Sequence, residues 1–358
     1  MRFVIRVDAS VDIGTGHVMR CLTLADFLIQ QGEIVEFLCR PHSGNLIHRI
    51  REKGFNVIEL SAPNKDQRLE GHYSKWLGAS QEQDIGQCKA ALENKPVDWL
   101  IVDHYAIDER WQTKAKSFCN NIMVIDDLGD REHNCEILLD QNYGTTEQKY
   151  IHLVPDYCKI LVGSEFTLLR PEFNQWRSYS LDRRNNNPLN RLLVNFGGMD
   201  VDNLTALILQ ELNKLNIPPL SQIDVVMGGS APHLEFVKLI AKEGKYRTNV
   251  IVDAPNMAEL MAASDFAIGA AGATAWERCC LALPTILFMT AMNQKDVVSS
   301  IQEAGAAVIY ENYKQRGLNQ LKTSIEVLEH QYNSISKNAS NLVDGKGASR
   351  VSQVLLGY

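Results

Sequence analysis

No stretch of these 358 residues is long and apolar enough to cross a bilayer. The N-terminus runs Met1-Arg2-Phe3-Val4-Ile5-Arg6 and meets Asp8 at once, so no signal-peptide core is expected. The eight cysteines form no Cys-x-x-Cys pair and show no metal-ligand spacing. That excludes a zinc ribbon and argues against a disulfide framework; cysteines scattered among apolar residues suit a reducing cytoplasm. Excess positive charge is missing too. The net charge is −7, without the basic face that a nucleic-acid partner requires. No repeat occurs, and the only low-complexity run is Asn185-Asn186-Asn187. What is present is ordinary: 45% hydrophobic and 22% charged residues describe a globular protein with room for two domains.

The apolar pattern alternates between strand and helix. Arg2 to Val7 reads as a strand, followed by a loop with Gly14 and Gly16. His17 then opens an amphipathic helix whose Val18, Cys21, Leu22, Ala25 and Leu28 recur at helical spacing, and Gly32 stops it. Ile34 to Cys39 completes a βαβ unit. Further strands are expected at Trp99–Asp103 and Ile122–Ile125, and a strand end at Asp140. Polar residues from Gln175 to Asn190 read as a linker. The βα alternation restarts at Arg191 and ends in a polar helical tail. The expected organisation is a Rossmann-like domain over 1–174, a linker over 175–190, a second such domain over 191–330 and a tail over 331–358. The fold class is α/β.

Chemistry is expected where glycine turns meet strand ends. Phe266 to Ile268 reads as a short strand. A turn with Gly269 and Gly272 follows, then a helix from about Ala273 or Thr274. Free N–H groups at such a helix start suit adjoining phosphates. Glu277, one turn in, can accept two hydrogen bonds from a ribose diol. Gly197-Gly198 and Gly228-Gly229 close two more strands of the same half. In the first half, His17 sits in the first turn of a helix at the carboxyl end of strand one, the edge where open α/β sheets put ligands. A helix N-terminus disfavours an imidazolium, and the neutral ring is what a general base needs. Arg20, one turn on, can orient a carboxylate or an anionic ligand. Asp103 and Asp126-Asp127 end neighbouring strands; such carboxylates hold a base in place, bind sugar hydroxyls or bind metal. Neither strand end carries an Asp-x-Asp pair, so no metal is expected. His42, His48, His72, His133, His152, His233 and His330 read as solvated.

These residues carry a resemblance. Gly197-Gly198, Gly269 to Thr274 and Glu277 resemble the nucleotide domain of two-domain GT-B proteins, especially the transferase that makes lipid II. The first half narrows this. Asp8-Ala9-Ser10, Gly14-Thr15-Gly16-His17-Val18-Met19-Arg20-Cys21, Val102-Asp103-His104-Tyr105, Ile125-Asp126-Asp127-Leu128 and Leu139-Asp140-Gln141-Asn142 resemble the PseG family. These are the UDP-2,4-diacetamido-2,4,6-trideoxy-β-L-altropyranose hydrolases of pseudaminic acid biosynthesis. The resemblance implies two Rossmann-like domains facing a central cleft, a UDP-linked diacetamido sugar as substrate, no cofactor and no membrane insertion. It implies that His17 activates water for inverting attack at the anomeric carbon. Gly14, Gly16, Arg20, Asp103, Tyr105 and Asn293 would face the sugar. Gly197, Gly198, Met257, Gly272, Ala273, Thr274 and Glu277 would hold UDP, Met257 through its backbone. Met199 departs from the serine common in related loops, which removes one phosphate contact. A GT-B glycosyltransferase using a UDP-amino sugar and a non-catalytic UDP-sugar-binding protein are the alternatives.

Overall fold

The computed structural model describes residues 1–63, 73–92, 95–184, 189–311 and 313–357. Two compact units result: Met1–Leu168 with Lys346–Tyr358, and Leu169–Gly345.

The first unit is built on seven strands: β1 (Arg2–Val7), β2 (Ile34–Cys39), β3 (Asn56–Glu59), β4 (Val97–Asp103), β5 (Cys119–Ile125), β6 (Ile137–Asp140) and β7 (Lys159–Val162). They pair in parallel in the order 3-2-1-4-5-6-7. Side chains alternate between the two faces of a strand. On β1, Phe3, Ile5 and Val7 pack with Val18, Cys21, Leu22, Ala25 and Leu28 of the Gly16–Gln30 helix. Val4 turns to the opposite layer, with Ile85, Cys88 and Trp111. Arg6 shares that face and is fully buried, so its charge needs partners. Asp84 accepts from its Nε at 3.2 Å and its Nη2 at 2.8 Å, and Asp8 lies 2.7 Å from its Nη1.

The second unit repeats the plan with β8 (Arg191–Asn195), β9 (Gln222–Met227), β10 (Arg247–Val252), β11 (Phe266–Ala270), β12 (Thr285–Phe288) and β13 (Val308–Tyr310). The order is 10-9-8-11-12-13, again with parallel pairs. Leu192 and Val194 face one apolar layer and Leu193 the other, as alternation requires.

Two expectations differ from the structure. Residues 175–183 are not a linker: a helix runs over Pro171–Arg183, and the units divide at Leu168 and Leu169. Its apolar stripe is thin, with only Phe173 and Ser180 buried, so the pattern reads as polar. Residues 185–188 of that stretch lie outside the described residues. The last helix, Gly347–Leu356, is no free tail; Ala348, Val351 and Leu355 join the core around Phe3 and Ile5, which places it in the first unit. Among the described residues, no helix is long and apolar enough to cross a membrane.

Candidate active site

Parallel sheets of this kind take ligands where the strand order reverses, outside the carboxyl ends of the strands. In the first unit that point lies between β1 and β4, which are adjacent with Val7 opposite Asp103. The loop after β1 is held by its own polar groups. Ser10 Oγ accepts from the N–H groups of Asp12 and Ile13 at 3.1 and 2.9 Å. Gly14 takes φ +80°, which a glycine reaches without strain, and donates its N–H to the Ser10 carbonyl at 2.9 Å. The helix then starts at Gly16.

This start aims His17 and Arg20, one turn apart, at the end of β4. Asp103 meets both. His17 Nδ1 lies 2.7 Å from Asp103 Oδ1; Arg20 donates Nε to Oδ2 and Nη2 to Oδ1, each at 2.6 Å. Cys21 Sγ adds a contact to Oδ2 at 3.5 Å. Burial alone would raise the Asp103 carboxyl, but the charges and hydrogen bonds of Arg20 and His17 outweigh it and hold the group well below the ordinary carboxylate range. Arg20 Nη2 also lies 3.1 Å from His17 Nδ1. One ring nitrogen cannot donate and accept at once, and the shorter contact to a carboxylate assigns the proton: Nδ1–H donates to Asp103. Nε2 is left as the acceptor.

The same network reaches Asp127. Tyr105 donates its hydroxyl to Asp127 Oδ1 at 2.5 Å, and Arg20 Nη1 lies 3.4 Å from Oδ2. The Tyr105 ring packs edge-on to His17, centroids 4.8 Å apart. Of the residues expected to face a sugar, Arg20, Asp103 and Tyr105 therefore converge on His17 but are engaged with one another. Asp103 is fully buried, with both oxygens occupied. Its place is behind the histidine, where it holds the ring through Nδ1.

His104, the residue after β4, turns to the opposite face. Its Nδ1 accepts from the Ala106 N–H at 3.1 Å, and its Nε2 lies 3.5 Å from Asp8 Oδ2. Burial holds this histidine below its usual range against the pull of Asp8. His42 shares Asp8 at 3.6 Å and is buried, not solvated. His133 is buried as well, its Nδ1 3.0 Å from Gln112 Nε2. Both histidines lie in loops that fold back over strand ends, which polarity alone does not reveal. His72 lies outside the described residues.

The second unit has its reversal between β8 and β11. Gly197, at φ +88°, and Gly198 follow β8. The Gly228 N–H donates to the Gly198 carbonyl at 2.9 Å, and a Cβ on Gly228 would stand 2.6 Å from that oxygen, so the two glycine loops lie backbone to backbone. Gly269 lies inside β11, not in the turn where the sequence pattern puts it. A Cβ there would meet the Asn195 carbonyl at 2.4 Å and Arg278 Nη1 at 2.8 Å, so it serves strand packing. Gly272 has open space around its Cβ position. Gly272 and Ala273 lead into the Thr274–Cys280 helix. Glu277 projects from that helix, with Arg170 Nη2 3.5 Å from its Oε1. Burial raises the Glu277 carboxyl; Arg170 and Arg278 oppose the rise. Arg278 lies beneath the turn, donating Nη2 to the Ala270 carbonyl at 2.5 Å, and burial pulls its guanidinium down to about 10. Met257 opens the Met257–Ala263 helix with its side chain in the core, leaving its backbone for any ligand. Asn293 falls in the Met292–Gln294 turn, and its side chain lies outside the described residues.

Sequence reasoning misses Trp76, Tyr73, Arg170 and Arg278. None sits in a glycine turn or at a strand end, the two signals that mark the others. Among the described residues, no cluster of three or more His, Cys, Asp or Glu side chains is arranged to hold a metal ion.

No family model matches the chain. The resemblance carried by its motifs extends along most of its length. It is 27% identical over 314 residues to the UDP-2,4-diacetamido-2,4,6-trideoxy-β-L-altropyranose hydrolase of Campylobacter jejuni, covering 87% of this chain and 99% of that one. It is 25% identical to the spore coat polysaccharide biosynthesis protein SpsG of Bacillus subtilis, over 99% and 98% of the two chains. Among solved structures, MurG of Acinetobacter baumannii superposes with a TM-score of 0.64 at 17% identity, covering 100% of this chain and 99% of that one. The fold is GT-B: two Rossmann-like parallel sheets in one chain.

Proposed function

We propose that this protein is a nucleotide-sugar hydrolase that releases UDP from UDP-2,4-diacetamido-2,4,6-trideoxy-β-L-altropyranose, as in pseudaminic acid biosynthesis. The observation that carries the reading is the His17–Asp103 pair at the strand-order reversal of the first sheet, with Nδ1 spoken for and Nε2 available. The length-wise similarity to the Campylobacter jejuni hydrolase supports it.

In this reading the second unit binds UDP. The N–H groups near Ala273 and Thr274 meet the diphosphate, Glu277 the ribose diol and the Met257 backbone the base. The first unit supplies the base. His17 Nε2 takes a proton from water as the water oxygen bonds to the anomeric carbon. The C–O bond to UDP breaks with its electron pair, and the anomeric configuration inverts. Asp103 accepts Nδ1–H throughout and stabilises the imidazolium that forms. UDP needs no acid to leave, and donors placed where charge develops on the β-phosphate lower the barrier. Gly14 and Gly16 set the helix start; Tyr105 and Asn293 are the proposed sugar contacts, and Arg20 acts through Asp103.

UDP release from the purified substrate without any acceptor tests the reading. Release dependent on an added alcohol would make the protein a transferase using the same base, and binding without release would make it a sensor.

A further inference from the structure

Two side chains beside His17, Trp76 and Tyr73, have no part in the mechanism. Trp76 lies on a single helical turn, Ser74–Leu77, in the first unit. Its indole stacks on the Tyr105 ring, centroids 5.6 Å apart and planes 25° apart, and stands 6.3 Å from the His17 ring. Tyr73 closes the group at 4.8 Å from Trp76 and 5.1 Å from Tyr105. Tyr105 is buried, whereas Trp76 and Tyr73 are only half-buried, so the wall beside the proposed base presents aromatic surface to solvent. No acceptor among the described residues takes the Trp76 indole N–H.

The turn that carries Trp76 is fixed from behind. Leu77 is buried in the core, and Gly78 takes φ +67°. A Cβ on Gly78 would stand 2.6 Å from Pro63 Cβ, 2.8 Å from His42 Cε1 and 3.0 Å from Arg40 Cδ. Arg40 is itself held by Asp84, Nη2 to Oδ2 at 2.7 Å, and by Asp8, which accepts its N–H at 2.6 Å. The buried Asp8–Asp84 ion cluster thus serves as the floor on which this turn rests. An aromatic plane on a fixed turn fits a flat, partly apolar group. An acetamido group has that form: a planar amide, a methyl and a carbonyl.

Resting on the hydrolase reading, we propose that Trp76, backed by Tyr105 and flanked by Tyr73, is the specificity-determining residue for an N-acetyl group on the substrate sugar. It stacks on the amide and holds the sugar beside His17.

The experiment compares the parent with W76A and W76F, each checked for folding by its melting temperature. Turnover is measured on the UDP-diacetamido sugar and on its di-N-formyl analogue, which lacks only the methyl groups. One methyl in an apolar site is worth roughly 10- to 200-fold in kcat/KM. The parent should prefer the acetamido sugar by about that factor, W76F should keep most of the preference, and W76A should lose it. A folded W76A with the parent's preference would overturn the proposal and reduce the wall to loop packing. Titration in an H17N background separates this from the hydrolase reading. UDP should bind H17N and H17N/W76A alike, while the UDP-diacetamido sugar should bind the double variant about ten-fold more weakly or worse. If the parent binds that sugar without releasing UDP, the hydrolase reading falls and this titration still decides the role of Trp76; equal binding of the sugar by the two variants refutes it.

Discussion

His17 presents Nε2 because Asp103 occupies Nδ1, and Asp103 stays ionised because Arg20 clamps both of its oxygens. Each residue in this chain has its own expected phenotype. H17N should lower turnover roughly 100- to 10,000-fold, the usual worth of a positioned base, and leave the Kd for UDP unchanged. Collapse of UDP affinity and fold together would make His17 a structural cap. D103N removes the charge opposite the buried Arg20 guanidinium and should cost about 3 kcal/mol. For a unit of this size that lowers Tm by roughly 6–12 °C. The sign with pH follows from the direction of the shift. Asp103 lies below its unfolded value, so its stabilisation is complete above the ordinary carboxylate range and fades as pH falls toward the depressed value. The Tm gap between parent and D103N should therefore narrow on acidification; a constant gap from pH 7 to pH 3 would rule out the ion pair as its source. In the second unit, E277A should weaken UDP and UDP-sugar alike, by roughly ten- to hundred-fold, since the ribose is common to both.

Among the elements, β11 and the turn behind it separate packing from binding within four residues. Gly269 faces the Asn195 carbonyl across the strand pair and has no room for a methyl, whereas Gly272 has open space. G269A should lower Tm by several degrees, the effect of an overpacked core costing about 1–3 kcal/mol. G272A should fold like the parent and bind UDP at least about ten-fold more weakly, because a Cβ would stand where a phosphate approaches the backbone. Unchanged UDP affinity in G272A would move the diphosphate elsewhere. The sequence already shows β1 and β2 at their observed bounds, because each is a compact apolar run next to a turn. It hides β3, whose four residues Asn56–Glu59 bury little, and the polar Pro171–Arg183 helix. His17, Asp103 and Glu277 are legible because glycine turns and strand ends announce them. Trp76 is not: it reaches His17 only through the folding of a turn whose neighbours in sequence carry no motif.

For the whole molecule, the chain divides into two units, and the last helix closes the first of them. Val351 and Leu355 bury their side chains among Phe3, Ile5 and Leu22, each worth about 1.5–3 kcal/mol. Deleting residues 346–358 should lower the melting transition of the first unit, diminish turnover and leave UDP binding by the second unit in place. Loss of UDP binding as well would tie the two units into one folding block. The proposed reaction has His17 direct water at the anomeric carbon of the UDP-linked sugar. Reaction in oxygen-18 water tests it most directly. Attack at the anomeric carbon predicts one heavy oxygen in the released sugar, none in UDP, and an inverted anomer. Heavy oxygen in UDP would show attack at phosphorus and contradict the assignment of His17.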